Sequence, residues 1–147
     1  MIKVGIIGGA GYTAGELIRI LLGHPDAEIV FVNSTSNAGN RLSAVHEGLI
    51  GDTDMIFTDQ LPLDTIDVLF FCTAHGDTRK FMEANTLPEG LKVIDLSMDY
   101  RLEAEGNPFI YGLRNSTAVL SARVSMWPIP DVSPLPYSWL CCRWHVT

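Results

Sequence analysis

The chain has no apolar run near the roughly 20 residues that cross a bilayer, so a membrane-spanning helix is excluded as an organising element. Its N-terminus lacks a signal-peptide pattern, because glycines interrupt the first apolar stretch within a few residues. A cytoplasmic protein is expected on both counts. Positive charge is scarce: 10 Lys and Arg stand against 17 Asp and Glu, for a formal net charge of -7. The few cations are scattered, which argues against a nucleic-acid surface, since phosphate contacts need clustered positive charge. Cysteine is nearly absent. Cys72 ends an apolar run, while Cys141 and Cys142 are adjacent near the C-terminus. Neither a metal site nor a disulfide framework follows from that spacing. His46 has no Cys, His or Asp at ligand spacing and reads as a loop or packing histidine, so no metal site is expected.

What is present begins at once. Met1 to Arg19 reads MIKVGIIGGAGYTAGELIR. Ile2, Val4, Ile6 and Ile7 form a short apolar run that Gly8, Gly9 and Gly11 break immediately ahead of a helical pattern. Leu17, Ile18, Leu21 and Leu22 then fall on one helical face. A buried strand that ends in a glycine turn and feeds a helix points backbone N–H groups, and the positive end of the helix, at whatever lies over the turn. In the G-x-G-x-x-G fingerprint of dinucleotide-binding folds, Gly9, Gly11 and Ala14 take the three glycine positions; alanine suits the third because that site serves close helix packing. The backbone around Gly8, Gly9, Gly11, Tyr12, Thr13 and Ala14 is therefore the candidate pyrophosphate site. A tight connection with no ligand is the plainer alternative.

The pattern continues as alternating strands and helices: strand at 2–7, helix at about 13–22, strand at 28–33, strand at 66–73, helix at 77–84 and strand at 91–96. A short helix over 42–49 and a short strand over 55–58 are weaker expectations. The near-continuous apolar run IDVLFFCT suits a strand covered by helices on both faces, and LKVIDL reads as the next strand. The fold class expected is α/β, a Rossmann-type doubly wound parallel sheet.

Two further stretches bear on a ligand. An acid normally ends the second strand of such folds and accepts from the adenosine ribose hydroxyls. Here Asn33, Ser34, Thr35, Ser36 and Asn37 stand in its place, with Arg41 nearby. Hydroxyl donors and a guanidinium without a carboxylate fit a 2′-phosphate better than a free hydroxyl, so NADP is expected over NAD. The alternative is a solvated polar loop. His75 and Gly76 follow the third strand, where ligands of parallel sheets sit, and are read as lining the site. Ser97, Asp99 and Arg101 are read first as a turn with internal hydrogen bonds, and second as cleft residues.

These segments resemble the N-terminal part of the N-acetyl-gamma-glutamyl-phosphate reductase family. The resemblance rests on GGAGYTAGEL at 8–17, SNAG at 36–39, His75 with Gly76, DLSMDYRL at 95–102 and YGL at 111–113, and covers about residues 1–113. It implies NADPH-dependent reduction of N-acetyl-gamma-glutamyl phosphate to N-acetylglutamate 5-semialdehyde with release of phosphate, in arginine biosynthesis. The implied chemistry is attack of a cysteine thiolate on the acyl phosphate to leave a thioester, which accepts hydride. Cysteine, proton-handling histidine and most of the substrate pocket belong to a second domain, and the full-length family member is expected to be a homo-oligomer. Aspartate-semialdehyde dehydrogenase shares architecture and thiol chemistry; the GYTAGEL, SNAG and DYRL combination disfavours it.

The family's cysteine should follow YGL in an Asn-Pro-Gly-Cys context, and that string is missing. Residues 114–147 instead hold all three Trp (Trp127, Trp139 and Trp144), half of the eight prolines, two of the three cysteines and one acid, Asp131. Back-translation suggests why. MWPIPDVS at 126–133 can be encoded as ATG TGG CCA ATC CCG GAT GTT TCG, which two bases later reads Val-Ala-Asn-Pro-Gly-Cys-Phe. Loss of one T from GGC CTT CCG GAA CTC AAC CGC gives Gly-Leu-Arg-Asn-Ser-Thr, as found at 112–117. The chain is thus expected to be a truncated NADP-binding domain, 1–113, with an out-of-frame, poorly ordered tail, 114–147. No catalytic residue is assigned; Cys141 and Cys142 have no positioned base. The other class of reading is a non-catalytic dinucleotide-binding domain or inactive fragment.

Overall fold

The computed structural model describes residues 1–97, 99–100 and the backbone of 126–128. Five parallel strands form one sheet: β1 (Ile2–Ile7), β2 (Ala27–Asn33), β3 (Val68–Phe71), β4 (Lys92–Asp95) and β5 (Met126–Pro128). Their order is β2-β1-β3-β4-β5. Helix α1 (Tyr12–Leu22) connects β1 to β2, and α2 (Asp77–Ala84) connects β3 to β4. The chain steps from β1 outward to β2, then returns to place β3 on the other side of β1. A topological switch point therefore lies between the C-terminal ends of β1 and β3.

Alternation along the strands separates two cores. Val4 and Ile6 of β1, Val68 and Phe70 of β3 and Ile94 of β4 pack with Ala14, Ile18 and Leu21 of α1 on one face. Ile7, Leu69, Phe71 and Val93 turn to the other face and meet Phe81 and Met82 of α2. Both faces are covered, which is why these strands read as unbroken apolar runs. Ala14, Ile18 and Leu21 are the buried positions of α1, spaced i, i+4, i+7; burying Ile18 and Leu21 contributes about 1.5–3 kcal/mol each.

The weaker expectations are corrected. Residues 42–49 form two 3-10 turns, Leu42–Ala44 and Glu47–Leu49, in place of one helix. Between them His46 has φ -111° and ψ 85°, off the helical path. Residues 55–58 make only isolated bridges, Asn33 with Thr58 and Arg41 with Ile56. The expectation for the tail falls outside the described residues, apart from the backbone of Met126–Pro128, which pairs with Val93, Ile94 and Asp95 of β4. Arg101 and the YGL segment also lie outside them.

Candidate functional site

The glycine turn sits at the switch point and is wedged between two strand ends. Gly8 has φ +79°, and a Cβ there would lie 2.6 Å from the Cys72 carbonyl oxygen, so no side chain fits between the turn and the exit of β3. At Gly9 a Cβ would meet Val32 Cγ1 at 2.2 Å. The Gly9 N–H donates to the Asn33 carbonyl at 2.8 Å, which pins the turn to the end of β2. Gly11 is the N-cap of α1 and contributes no side-chain cap. The Gly11 N–H donates to the Gly8 carbonyl at 3.3 Å, whereas the N–H groups of the first turn of α1 have no intrahelical acceptor, and Tyr12 and Thr13 are exposed. Free donors at the positive end of an 11-residue helix make an anion site.

Beside the turn lies the loop after β2. Ser34 is buried, and its Oγ accepts from Asn37 Nδ2 at 3.3 Å and lies 3.5 Å from Ser36 Oγ; Asn37 Nδ2 also donates to Ser36 Oγ at 3.1 Å. These three side chains form one cluster next to Asn33. Arg41 instead pairs with Asp54 at 3.0 Å. Both partners are exposed, so the pair contributes about 0–1 kcal/mol and leaves the guanidinium able to exchange partners.

At the exit of β3, His75 is exposed and Gly76 is half-buried. This loop is tied down from β4. Asp99 Oδ1 accepts the Gly76 N–H at 2.6 Å and Oδ2 accepts the Arg79 N–H at 3.1 Å, so Asp99 caps α2 across a gap in sequence. Arg79 Nη2 donates to the Asp99 carbonyl at 3.2 Å, and its guanidinium lies 5.9 Å from the Tyr100 ring centre. Behind it Asp95 is fully buried. Its Oδ1 accepts from Thr78 Oγ1 at 3.1 Å and the Ser97 N–H at 2.9 Å, and its Oδ2 from Ser97 Oγ at 2.8 Å. Burial pushes the Asp95 carboxyl up, with the Asp99 charge adding to it, and the bonds from Ser97 and Thr78 oppose the shift. Burial and the Asp95 charge push the Cys72 thiol up to about 12. A thiol so disfavoured as thiolate is no nucleophile near neutral pH.

Of the sequence-predicted residues, the glycine turn and Ser34, Ser36 and Asn37 are joined through the end of β2. At the exit of β3 the Cys72 carbonyl lies against Gly8, and His75 and Gly76 follow it in the chain. Ser97 and Asp99 do make the internal bonds expected of them. Sequence reasoning missed Asp99 as the cap of α2, and missed that His46 Nε2 lies 2.7 Å from the Gly9 carbonyl oxygen. Neither partner is near in sequence, so no local pattern marks them. Among the described residues no three His, Cys, Asp or Glu could hold a metal ion, and no helix is long and apolar enough to cross a membrane.

A glycine turn at the switch point of a doubly wound parallel sheet, with an open helix N-terminus above it, defines a dinucleotide-binding Rossmann-like domain. The chain belongs to the family described as "Semialdehyde dehydrogenase, NAD binding domain", whose model matches residues 3–129. Within it, the chain is 74% identical over 113 residues to N-acetyl-gamma-glutamyl-phosphate reductase of Bacteroides thetaiotaomicron, covering 77% of this chain and 35% of that protein. Identity to the same-named protein of Phocaeicola vulgatus is 70% over 113 residues, with the same coverage. The chain thus spans about a third of the length of these curated relatives. Its fold matches the aspartate semialdehyde dehydrogenase of Candida albicans with a TM-score of 0.63 at 18% identity, over 88% of this chain and 42% of that one. At that identity the likeness is one of fold.

Proposed function

We propose that this chain is the NADP-binding part of an N-acetyl-gamma-glutamyl-phosphate reductase, and that alone it binds the cofactor without turnover. The observation that carries the reading is the turn itself: Gly8 and Gly9 leave no room for a Cβ, and the uncapped N-terminus of α1 opens above them. A pyrophosphate fits such a set of donors, so the residues present suit the cofactor. The backbone of Gly11, Tyr12, Thr13 and Ala14 would hold its pyrophosphate. Ser34, Ser36 and Asn37 would receive the 2′-phosphate, with Arg41 released from Asp54. His75 and Gly76 would line the nicotinamide end. When bound, the cofactor supplies hydride to an acyl group. The 74% identity to a named reductase favours the acyl phosphate N-acetyl-gamma-glutamyl phosphate as the substrate class of the whole enzyme.

Turnover needs a nucleophile that this chain does not offer. Cys72 is held neutral, and Cys141 and Cys142 lie beyond the 113 residues that the relatives share in length. A single lost base near Leu113 accounts for the tail and for the missing Asn-Pro-Gly-Cys string. The encoding DNA tests this: an intact second domain in the shifted frame supports it, and a stop in every frame soon after residue 147 contradicts it. Phosphate-dependent oxidation of N-acetylglutamate semialdehyde by the purified chain, at any rate above a no-protein control, would overturn the inactive reading.

A further inference from the structure

Under the glycine turn lies a histidine that the binding account above does not use. His46 Nε2 is 2.7 Å from the Gly9 carbonyl oxygen. A carbonyl only accepts, so Nε2 carries a proton in this contact. The residue is fixed from both sides: its N–H donates to the Leu42 carbonyl at 2.9 Å, and its carbonyl accepts the Leu49 N–H at 3.0 Å. Leu42 and Leu49 are themselves core residues, 0% and 2% exposed. The ring packs near the buried Phe57, centroid to centroid 6.2 Å. On its other side is Gly15, where a Cβ would come within 2.6 Å of His46 Nδ1 and 3.0 Å of Cε1. Gly15 stands inside α1, where glycine costs about 0.5–1 kcal/mol relative to alanine. Room for the imidazole is the physical reason for a glycine there.

We infer that His46 is a positioning residue for the dinucleotide pyrophosphate, acting through the Gly9 carbonyl, and that Gly15 exists to admit its ring. A trans peptide sets its C=O and the next N–H on opposite sides. Holding the Gly9 C=O toward His46 therefore holds the Ala10 N–H away from it, in a turn whose glycines would otherwise allow the peptide to rotate. The inference rests on the dinucleotide reading of the turn, but the bond that it invokes exists without cofactor.

The test uses the 147-residue chain with NADPH as probe, alongside amide NMR of the cofactor-free protein. In the wild type the imidazole nitrogen shifts should show a proton on Nε2; an unprotonated Nε2 overturns the inference. His46→Phe, which fills space but donates nothing, should move the Ala10 and Gly11 amide signals and weaken NADPH binding about 5- to 10-fold. His46→Gln restores a donor and should return affinity to within about twofold of wild type. Gly15→Ala should weaken binding about as much as His46→Phe, yet add nothing in a His46→Ala background, because the two act through one contact. Simple addition of those two effects, or a His46→Phe protein with unmoved Ala10 signals, defeats the proposal. A wild-type chain that does not bind NADPH defeats the dinucleotide reading instead, and the imidazole and amide shifts still decide the His46 contact.

Discussion

Replacing Asp99 by alanine isolates the contact that ties the β3 exit loop to β4. The carboxylate accepts the Gly76 N–H at 2.6 Å and the Arg79 N–H at 3.1 Å, at the start of an 8-residue helix whose own N-cap is a glycine. Loss of a side-chain cap costs about 0.5–2 kcal/mol, and loss of a negative charge at a helix N-terminus about 0.3–1 kcal/mol. Asp99 is only half-buried, so water can reach the two freed N–H groups and the sum stays near the middle of those ranges. A loss of about 1–2 kcal/mol is expected, and about half of it for Asp99→Asn, which keeps one acceptor oxygen. Urea unfolding followed by far-UV circular dichroism should show the midpoint falling by about 0.5–1 M for a slope of about 2 kcal/mol/M. Hydrogen exchange gives the local reading, with the Gly76 and Arg79 amides losing protection first. A midpoint unchanged by Asp99→Ala, with those two amides still protected, would refute the reasoning.

Four other outcomes follow from the same geometry. Gly8→Ala should destabilise by about 2–3 kcal/mol, because it combines a left-handed backbone with a Cβ against the Cys72 carbonyl. Gly11→Ala, at φ -76° with no atom nearer than 3.6 Å to its Cβ, should stay within about 0.5 kcal/mol in urea unfolding while weakening NADPH binding. The Asp95 carboxyl, raised by burial, keeps its proton longer in the folded than in the unfolded chain. Its contribution to stability is full below the ordinary value of about 3.9 and is lost as pH rises through the raised folded value. The stability difference between wild type and Asp95→Asn across a pH series should therefore shift against the wild type as pH rises above about 4; a difference that does not vary with pH rejects the assignment. Finally, with its thiol pushed up to about 12, Cys72 should resist iodoacetamide in the folded protein at pH 8, as peptide mass mapping would show. Rapid labelling there contradicts its description as a neutral thiol.

The fold was legible wherever burial follows chain periodicity. Strand β1, helix α1 and the turn between them were readable because apolar residues, glycines and the spacing of Ile18 and Leu21 all agree. β3 was readable because two covered faces leave an unbroken apolar run. Residues 42–49 show where periodicity fails: a helix pattern is present, but His46 leaves the helical path and its ring meets the Gly9 carbonyl, 37 positions away in sequence. Asp99 is similar. As a lone acid after β4 it signals only a turn, and its role as cap of α2 exists once the sheet has brought β3 beside β4. The polar loop after β2 was legible as lacking a carboxylate, whereas the pairing of Arg41 with Asp54 was not, since nothing in the sequence singles out one surface acid among many.

Titration of the purified chain with NADPH and with NADH, by nicotinamide fluorescence or calorimetry, tests the central claim most directly. The account predicts saturable binding of both with NADPH the tighter, and no turnover in the same preparation when acyl phosphate is added. Absence of binding by a folded chain, or a preference for NADH, would contradict it.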